Sequence, residues 1–242
     1  MARELEPADL TRLGENLARL RARIAAACAR AGRDPQGVGL VAVTKYSGPA
    51  LARGLLALGQ RDLGENRTAR LVELAAALAD ANPAPRWHMV GHLQRNKAKE
   101  VAGLLHALHS LDSAALLARL EALRPAELDP LQVFVEVRLD PREVRSGVEP
   151  AALPAFLAAL PSTSRARLVG LMGLPPQGAP EEARPHFRRL RALLEAAPAE
   201  RFAARGLSMG MTEDLEVAVE EGASVVRVGR ALLEGLSPEA LQ

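Results

Sequence analysis

The sequence predicts an α/β fold, a single (β/α)8 TIM-type barrel with an extra N-terminal helix. Three observations predict it. Eight short apolar runs alternate with amphipathic helical segments along the chain. The runs are apolar throughout, as expected of parallel strands covered by helices. The chain has 242 residues, and such a barrel typically takes about 250. One domain would therefore use residues 1–242, with 1–36 as the N-terminal helix and lead-in.

The elements follow in order. Residues 8–31 form the first helix, with Leu10, Leu13, Leu17, Leu20 and Ile24 on one face. GLVAVT (39–44) is the first strand; Lys45 and a Gly48-Pro49 break come after it, and a helix runs through Leu58. RDLGEN (61–66) is a short second strand and turn, and a helix over about 67–80 ends before Asn82-Pro83. RWHMVG (86–91) is the third strand. ALHSLDS (107–113) is the fourth, with Asp112 or Ser113 placed to cap the next helix. LQVFVEVRL (131–139), RLVGLMGL (167–174), RGLSMG (205–210) and SVVRVG (224–229) complete the eight, and a short helix closes the chain. Neither the Gly-x-Gly-x-x-Gly dinucleotide fingerprint nor a P-loop is present, which disfavours an open nucleotide-binding sheet.

Composition excludes several classes. Hydrophobic residues make up 48% and charged residues 25%, ordinary for a soluble globular protein. Aromatics are only 2%, so Leu, Val and Ala must fill the core. Net charge is +2 with the signs interspersed, which does not suggest nucleic-acid binding. Cys28 is the sole cysteine, in an Ala-rich helical run, and reads as a buried or half-buried thiol. The charged start lacks a signal peptide's apolar stretch, and no run approaches the ~18 residues of a membrane span. A cytoplasmic protein without membrane attachment is expected, as a monomer or weak dimer.

In a barrel of this type the active site lies at the C-terminal ends of the strands. Lys45 sits there, although a surface lysine in a strand-to-helix loop is the plainer reading. Asn66, in GENR (64–67), could bind a ligand or cap a helix, and Glu65 could pair with Arg67. His88 and His92 lack a cysteine or carboxylate at metal-ligand spacing, so no metal is expected. His109 and Asp112 could line the mouth or cap a helix. Ser208 ends strand seven; it or Thr212 could cap the helix that starts near Thr212. Gly229 ends strand eight and opens the last helix. Loops after strands seven and eight, together with a short helix N-terminus, frequently bind phosphate in these barrels. Arg227 should point into the barrel mouth, either toward a ligand or satisfied by a carboxylate such as Glu136 or Asp140.

The combination narrows the ligand. A lysine at strand one facing a phosphate cradle at strands seven and eight matches a phosphorylated aldehyde, and pyridoxal 5′-phosphate (PLP) is one. The group at its pyridine nitrogen sets its electronics: a carboxylate makes the ring a strong electron sink and an arginine a weak one.

At this point the sequence resembles the pyridoxal phosphate homeostasis proteins, which look like the barrel domain of alanine racemase without its second domain. The resemblance covers nearly the whole chain. It is carried by VAVTKYSG (41–48), GQRDLGENR (59–67), WHMVGHLQRNK (87–97), HSLDS (109–113), GLMGLPP (170–176) and LSMGMTEDLEVAVEEGASVVRVG (207–229). It implies that Lys45 is the Schiff-base lysine. Ser208 and the Gly229-Arg230 backbone would hold the phosphate, and Arg227 would face the pyridine nitrogen. Asn66 and Met209 would lie beside the cofactor, and His88 and Met172 would line the mouth. It also implies a carrier that binds, buffers and delivers PLP, with PLP-dependent apo-enzymes as recipients and no established turnover. Three positions depart from the family pattern: Arg230 replaces the usual Thr, Arg138 an Asn and Arg145 a Lys.

Two other functions fit parts of the pattern. A PLP-dependent amino-acid racemase or decarboxylase is the alternative. Racemisation needs a base on each face of the carbanion, and Tyr46, the only tyrosine, adjoins Lys45 on an extended segment and would point to the opposite face. The chain is also expected to be too short for the racemase's second domain. An aldolase-type barrel acting on a sugar phosphate would leave Arg227 without special purpose.

Overall fold

The computed structural model describes residues 4–45, 47–140, 142 and 146–241; Tyr46 and Arg145 lie outside the described residues. Eight parallel strands form a closed barrel in sequence order: β1 (Gly39–Val43), β2 (Asp62–Glu65), β3 (Arg86–Met89), β4 (Leu105–Leu111), β5 (Leu131–Arg138), β6 (Ala166–Leu174), β7 (Gly206–Ser208) and β8 (Val225–Val228). Closure is by β1 on β8, with Val41 opposite Arg227. The expected (β/α)8 barrel is the observed one.

The helices are α1 (Pro7–Arg30), α2 (Pro49–Ala57), α3 (Thr68–Ala77), α4 (Ala98–Val101), α5 (Ala114–Leu123), α6 (Leu153–Ala159), α7 (Arg184–Ala196) and α8 (Leu215–Glu220). On α1, Leu13, Leu17, Leu20 and Ile24 are buried, and Leu10 is half-buried in the first turn. This helix is the extra one. It lies on α8 and on the chain beyond β8: Asn16 donates to the carbonyls of Leu232 and Glu234, and Arg23 makes a two-bond pair with Glu216. Cys28 is buried within it, and burial pushes its thiol pKa up.

Period two divides each strand's side chains between two cores. Leu40 and Ala42, Leu63, Trp87 and Met89, and Val133, Val135 and Val137 face outward into one cluster with the helices. Val41, Ala107, Phe134 and Met172 are equally buried but stand apart from that cluster, inside the barrel. The polar residues of the same inward set make the site.

Three local expectations change. Strand four runs over Leu105–Leu111, two residues earlier than expected, and its register shifts against β3 between Trp87 and His88 and against β5 between Leu108 and Leu111. Helix α8 begins at Leu215 rather than near Thr212: Gly210 turns the chain at φ +95°, and Asp214 Oδ1 accepts from the Met211 N–H before the helix starts. The segment after Gly229 is a single 3-10 turn, Arg230–Leu232. Of the two cap candidates for α5, Ser113 holds the position, its hydroxyl accepting from the Leu116 N–H at 3.3 Å. Asp112 pairs instead with His92 at 3.3 Å.

Candidate functional site

Lys45 occupies the turn just beyond β1, solvent-exposed, two residues past the inward Val43. The backbone around it is well tied. Thr44 N–H donates to the Gly64 carbonyl at 2.9 Å, and Thr44 Oγ1 donates to Glu65 Oε1 at 2.5 Å. Ser47 closes the turn on the Thr44 carbonyl, and Arg70 donates to the Ser47 carbonyl at 2.7 Å. The expected Glu65–Arg67 pair does not form, because Glu65 is buried against Thr44, and burial raises its carboxyl's pKa.

Asn66 follows β2 and is exposed. It caps no helix: Arg67 holds the cap position of α3, and no side chain bonds there. The Asn66 backbone instead touches Gly91, where an added Cβ would stand 2.3 Å from the Asn66 carbonyl oxygen. The turns after β2 and β3 are thus pressed together at the C-terminal end of the barrel.

On the opposite flank, Met209 follows β7 and is fully buried, and its N–H donates to the Val225 carbonyl. Gly229 follows β8 beside β1, where an added Cβ would lie 3.1 Å from the Val43 carbonyl oxygen. Arg230 projects into solvent, its side chain 81% exposed and 3.5 Å from Glu213. Met172 pairs with Ser208 across β6 and β7 and is buried in the barrel interior.

Arg227 is the charged residue of the interior. It is 5% exposed, and its Nη1 donates to Ser208 Oγ at 2.6 Å. Neither expected carboxylate satisfies it: Glu136 accepts from Ser146 Oγ, and Asp140 holds Arg142. Its Nη2 is buried and has no hydrogen-bond partner among the described residues. Burial pushes the Arg227 pKa down to about 10, against the pull of Asp214 and Glu136, so the guanidinium stays charged at neutral pH. Burial likewise raises the Glu136 carboxyl's pKa.

Ser208 is fully buried. Besides Arg227, its Oγ meets His109 Nδ1 at 2.7 Å. His109 Nε2 lies 3.0 Å from His88 Nδ1, and His88 Nε2 lies 2.9 Å from Asp62 Oδ1. Arg86 donates to the other oxygen of Asp62. His88 is therefore inside the barrel, as a link between Asp62 and His109. Phe134 stacks on the His109 ring, with centroids 4.7 Å apart and planes at 14°. Ligand atoms of Asp62, His88 and His106 fall within 4.8 Å of one another, a spacing a metal ion could use. Asp62 is already paired with Arg86 and His88 there.

Sequence reasoning singled out Lys45, Ser208, Arg227 and His88 but missed Asp62 and the role of His109. The available signal was the inward parity that sets Asp62, His88 and His109 among apolar neighbours. A cavity of about 370 Å³, bordered by Pro35, Gln36, Leu40, Gln60 and Asp62, lies at the opposite, N-terminal end of the barrel. No helix among the described residues is long and apolar enough to cross a membrane.

Comparison with known proteins places this arrangement among relatives. The model of the alanine racemase N-terminal domain matches residues 9–238. The pyridoxal phosphate homeostasis protein of Pseudomonas aeruginosa is 40% identical over 225 residues, covering 92% of this chain and 95% of its own length. The structure of PipY from Synechococcus elongatus with PLP bound superposes with a TM-score of 0.77 at 33% identity, covering 91% of this chain and 99% of that one. The crystal structure of an unknown protein from Bifidobacterium adolescentis gives a TM-score of 0.82 at 29% identity, over 96% and 98% of the two chains.

Proposed function

Because the chain belongs to the pyridoxal phosphate homeostasis protein family, related to the alanine racemase N-terminal domain, we propose that it binds PLP through a Schiff base on Lys45 and serves as an intracellular carrier of that cofactor. The observation that carries this reading is Arg227, a buried cation that among the described residues has no carboxylate partner and whose Nη2 has no hydrogen-bond partner inside the barrel.

The residues present fit the cofactor. A buried donor left unpaired costs about 1–3 kcal/mol, and an acceptor nitrogen on a ligand would remove that cost at Arg227 Nη2. Gly229 and Arg230 would offer backbone N–H groups at the end of β8, and Met209, whose N–H is held by the Val225 carbonyl, would contribute its buried side chain at the end of β7. The Arg230 side chain points to solvent, so the contact there falls to its N–H and to the close approach that Gly229 allows. Ser208, Met172 and His88 form the wall beneath, and Asn66 stands on the β2 flank beside Lys45. A lysine amine joins an aldehyde only as the free base.

When bound, PLP supplies an electron sink whose strength depends on the protein group at its ring nitrogen. Arg227 remains protonated and can donate a hydrogen bond there without giving up its proton. That keeps the sink weak and favours storage over carbanion chemistry. The reading as carrier rather than racemase or decarboxylase rests on this electronic argument and on the homeostasis role in the relatives' name.

The test is optical. Purified protein titrated with PLP should become yellow, with a visible absorbance band that Lys45→Ala abolishes. A protein that stays colourless at excess PLP would overturn the reading. Incubation of the loaded protein with L-alanine should yield neither D-alanine nor CO₂; Lys45-dependent turnover at ordinary enzyme rates would make it an enzyme instead.

A further inference from the structure

Five polar residues from five strands form one hydrogen-bonded chain through the barrel: Asp62, His88, His109, Ser208 and Arg227. Its direction can be worked out link by link. Burial alone would raise the Asp62 pKa, but hydrogen bonds from His88 and Arg86 outweigh it, and the net direction is down. Asp62 is therefore an ionised acceptor, so His88 Nε2 carries hydrogen. Neutral His88 then has a bare Nδ1, and the 3.0 Å contact requires that His109 Nε2 donate to it. Neutral His109 has a bare Nδ1, so Ser208 O–H donates to it. The lone pairs of Ser208 Oγ are left for Arg227 Nη1. With both rings neutral, no other set of tautomers satisfies all four links.

We propose that Asp62, His88 and His109 are positioning residues for Arg227: they turn the Ser208 hydroxyl proton away from the guanidinium, fix its oxygen as the acceptor for Nη1, and so hold Nη2 toward a ligand's ring nitrogen. The inference rests on the reading that this barrel takes PLP. Two further features support it. Phe134 stacked on the ring fixes the plane of His109. Burial, with the neighbouring His88, Arg227 and His106, holds the His109 pKa well below that of an ordinary histidine, so its ring stays neutral. The charged and titratable groups around the pair are Asp62 on β2, Arg86 on β3, His106 on β4 and Arg227 on β8; Phe134 faces it from β5 and Ser208 from β7, and Gln132 on β5 meets His106. A proton added to the pair would make His109 Nδ1 a donor to Ser208 Oγ and reverse that link, while His88 Nε2 would still donate to Asp62 and Arg227 Nη1 to Ser208.

The test compares two probes, PLP and its carbocyclic analogue with ring nitrogen replaced by CH, on wild type, His109→Phe and His109→Asn. Phenylalanine keeps the stack on Phe134 and removes the relay; asparagine returns an acceptor near the Nδ1 position. Wild type should prefer PLP over the analogue. His109→Phe should lose about ten- to hundredfold in PLP affinity, the scale of a hydrogen bond to a charged group, while analogue affinity holds within about twofold. His109→Asn should keep most of the preference. A merely structural role would weaken both ligands alike, and that result, or an unchanged preference in His109→Phe, overturns the inference. If His109→Phe fails to fold, His88→Phe, one link further from the ligand, should show the same selective loss. A wild type that binds neither probe would sink the PLP reading itself, before any variant is compared.

Discussion

Gly91→Ala is expected to disturb the site from behind, through backbone alone. Gly91 follows β3, and its carbonyl accepts from Ser110 Oγ at 2.7 Å. An alanine Cβ there would lie 2.3 Å from the Asn66 oxygen, 2.9 Å from its Cα and 3.0 Å from its carbonyl carbon. Ordinary contact begins at 3.4 Å, so the Asn66 peptide must retreat by roughly 1 Å, on van der Waals grounds. Neither partner can swing aside as a side chain would. The neighbouring Val90 N–H is bonded to the Glu65 carbonyl at 2.8 Å, so the two turns resist separation. Overpacking of this kind costs about 1–3 kcal/mol. At about 2–4 °C per kcal/mol for a chain of this size, the melting temperature should fall by about 2–12 °C. If Asn66 touches the cofactor, a hydrogen bond lost there should weaken PLP binding by about tenfold. The control is Gly37→Ala, where an added Cβ meets nothing within 4 Å. The assay is a PLP titration read by absorbance, beside a thermal melt. A Gly91→Ala protein that melts with the control and binds PLP like wild type would refute the claim that this contact sets the β2 flank.

Other outcomes follow from the same geometry. His109 is buried and neutral, with its pKa held below the unfolded value; its share of stability is complete above about pH 6.5, the unfolded histidine value, and is lost as pH falls below that. Wild type should therefore melt progressively lower from pH 7.5 to 5.5, and His109→Phe should show a flatter profile; equal slopes would argue against it. Arg227→Met exchanges a buried, half-satisfied cation for an apolar chain, so stability at neutral pH should hold or rise while PLP affinity drops by about tenfold or more. A large loss of stability without loss of affinity would contradict the assignment. Arg230→Ala should change PLP affinity by less than about threefold, because only a solvent-exposed side chain is removed; isothermal titration would expose a larger role.

What the sequence made legible, and what it left hidden, divides along a physical line. The strands are legible because parallel strands under helices must be apolar on the outer face at nearly every turn, as Val133, Val135 and Val137 are. Lys45, Arg227 and Gly229 are legible because strand ends are marked by where apolar runs stop. The chain from Asp62 to Arg227 was not legible, because parity tells which side chains face inward but not which of them share a level. Level is set by the stagger of the barrel and by the register shifts at Trp87–His88 and Leu108–Leu111. Those shifts bring His109 to both His88 and Ser208. Hence Ser208, read as a small hydroxyl at a strand end, is wholly buried, and its side chain turns to Arg227 and His109. Apolar residues could fill that interior, as Val41, Ala107, Phe134 and Met172 do around it. A buried polar group is tolerated only when its bonds are met. Every link from Asp62 to Arg227 Nη1 is met, and the chain ends on one buried donor that is not, Arg227 Nη2. The proposed ligand would complete the relay at that open donor, within the barrel whose mouth carries Lys45.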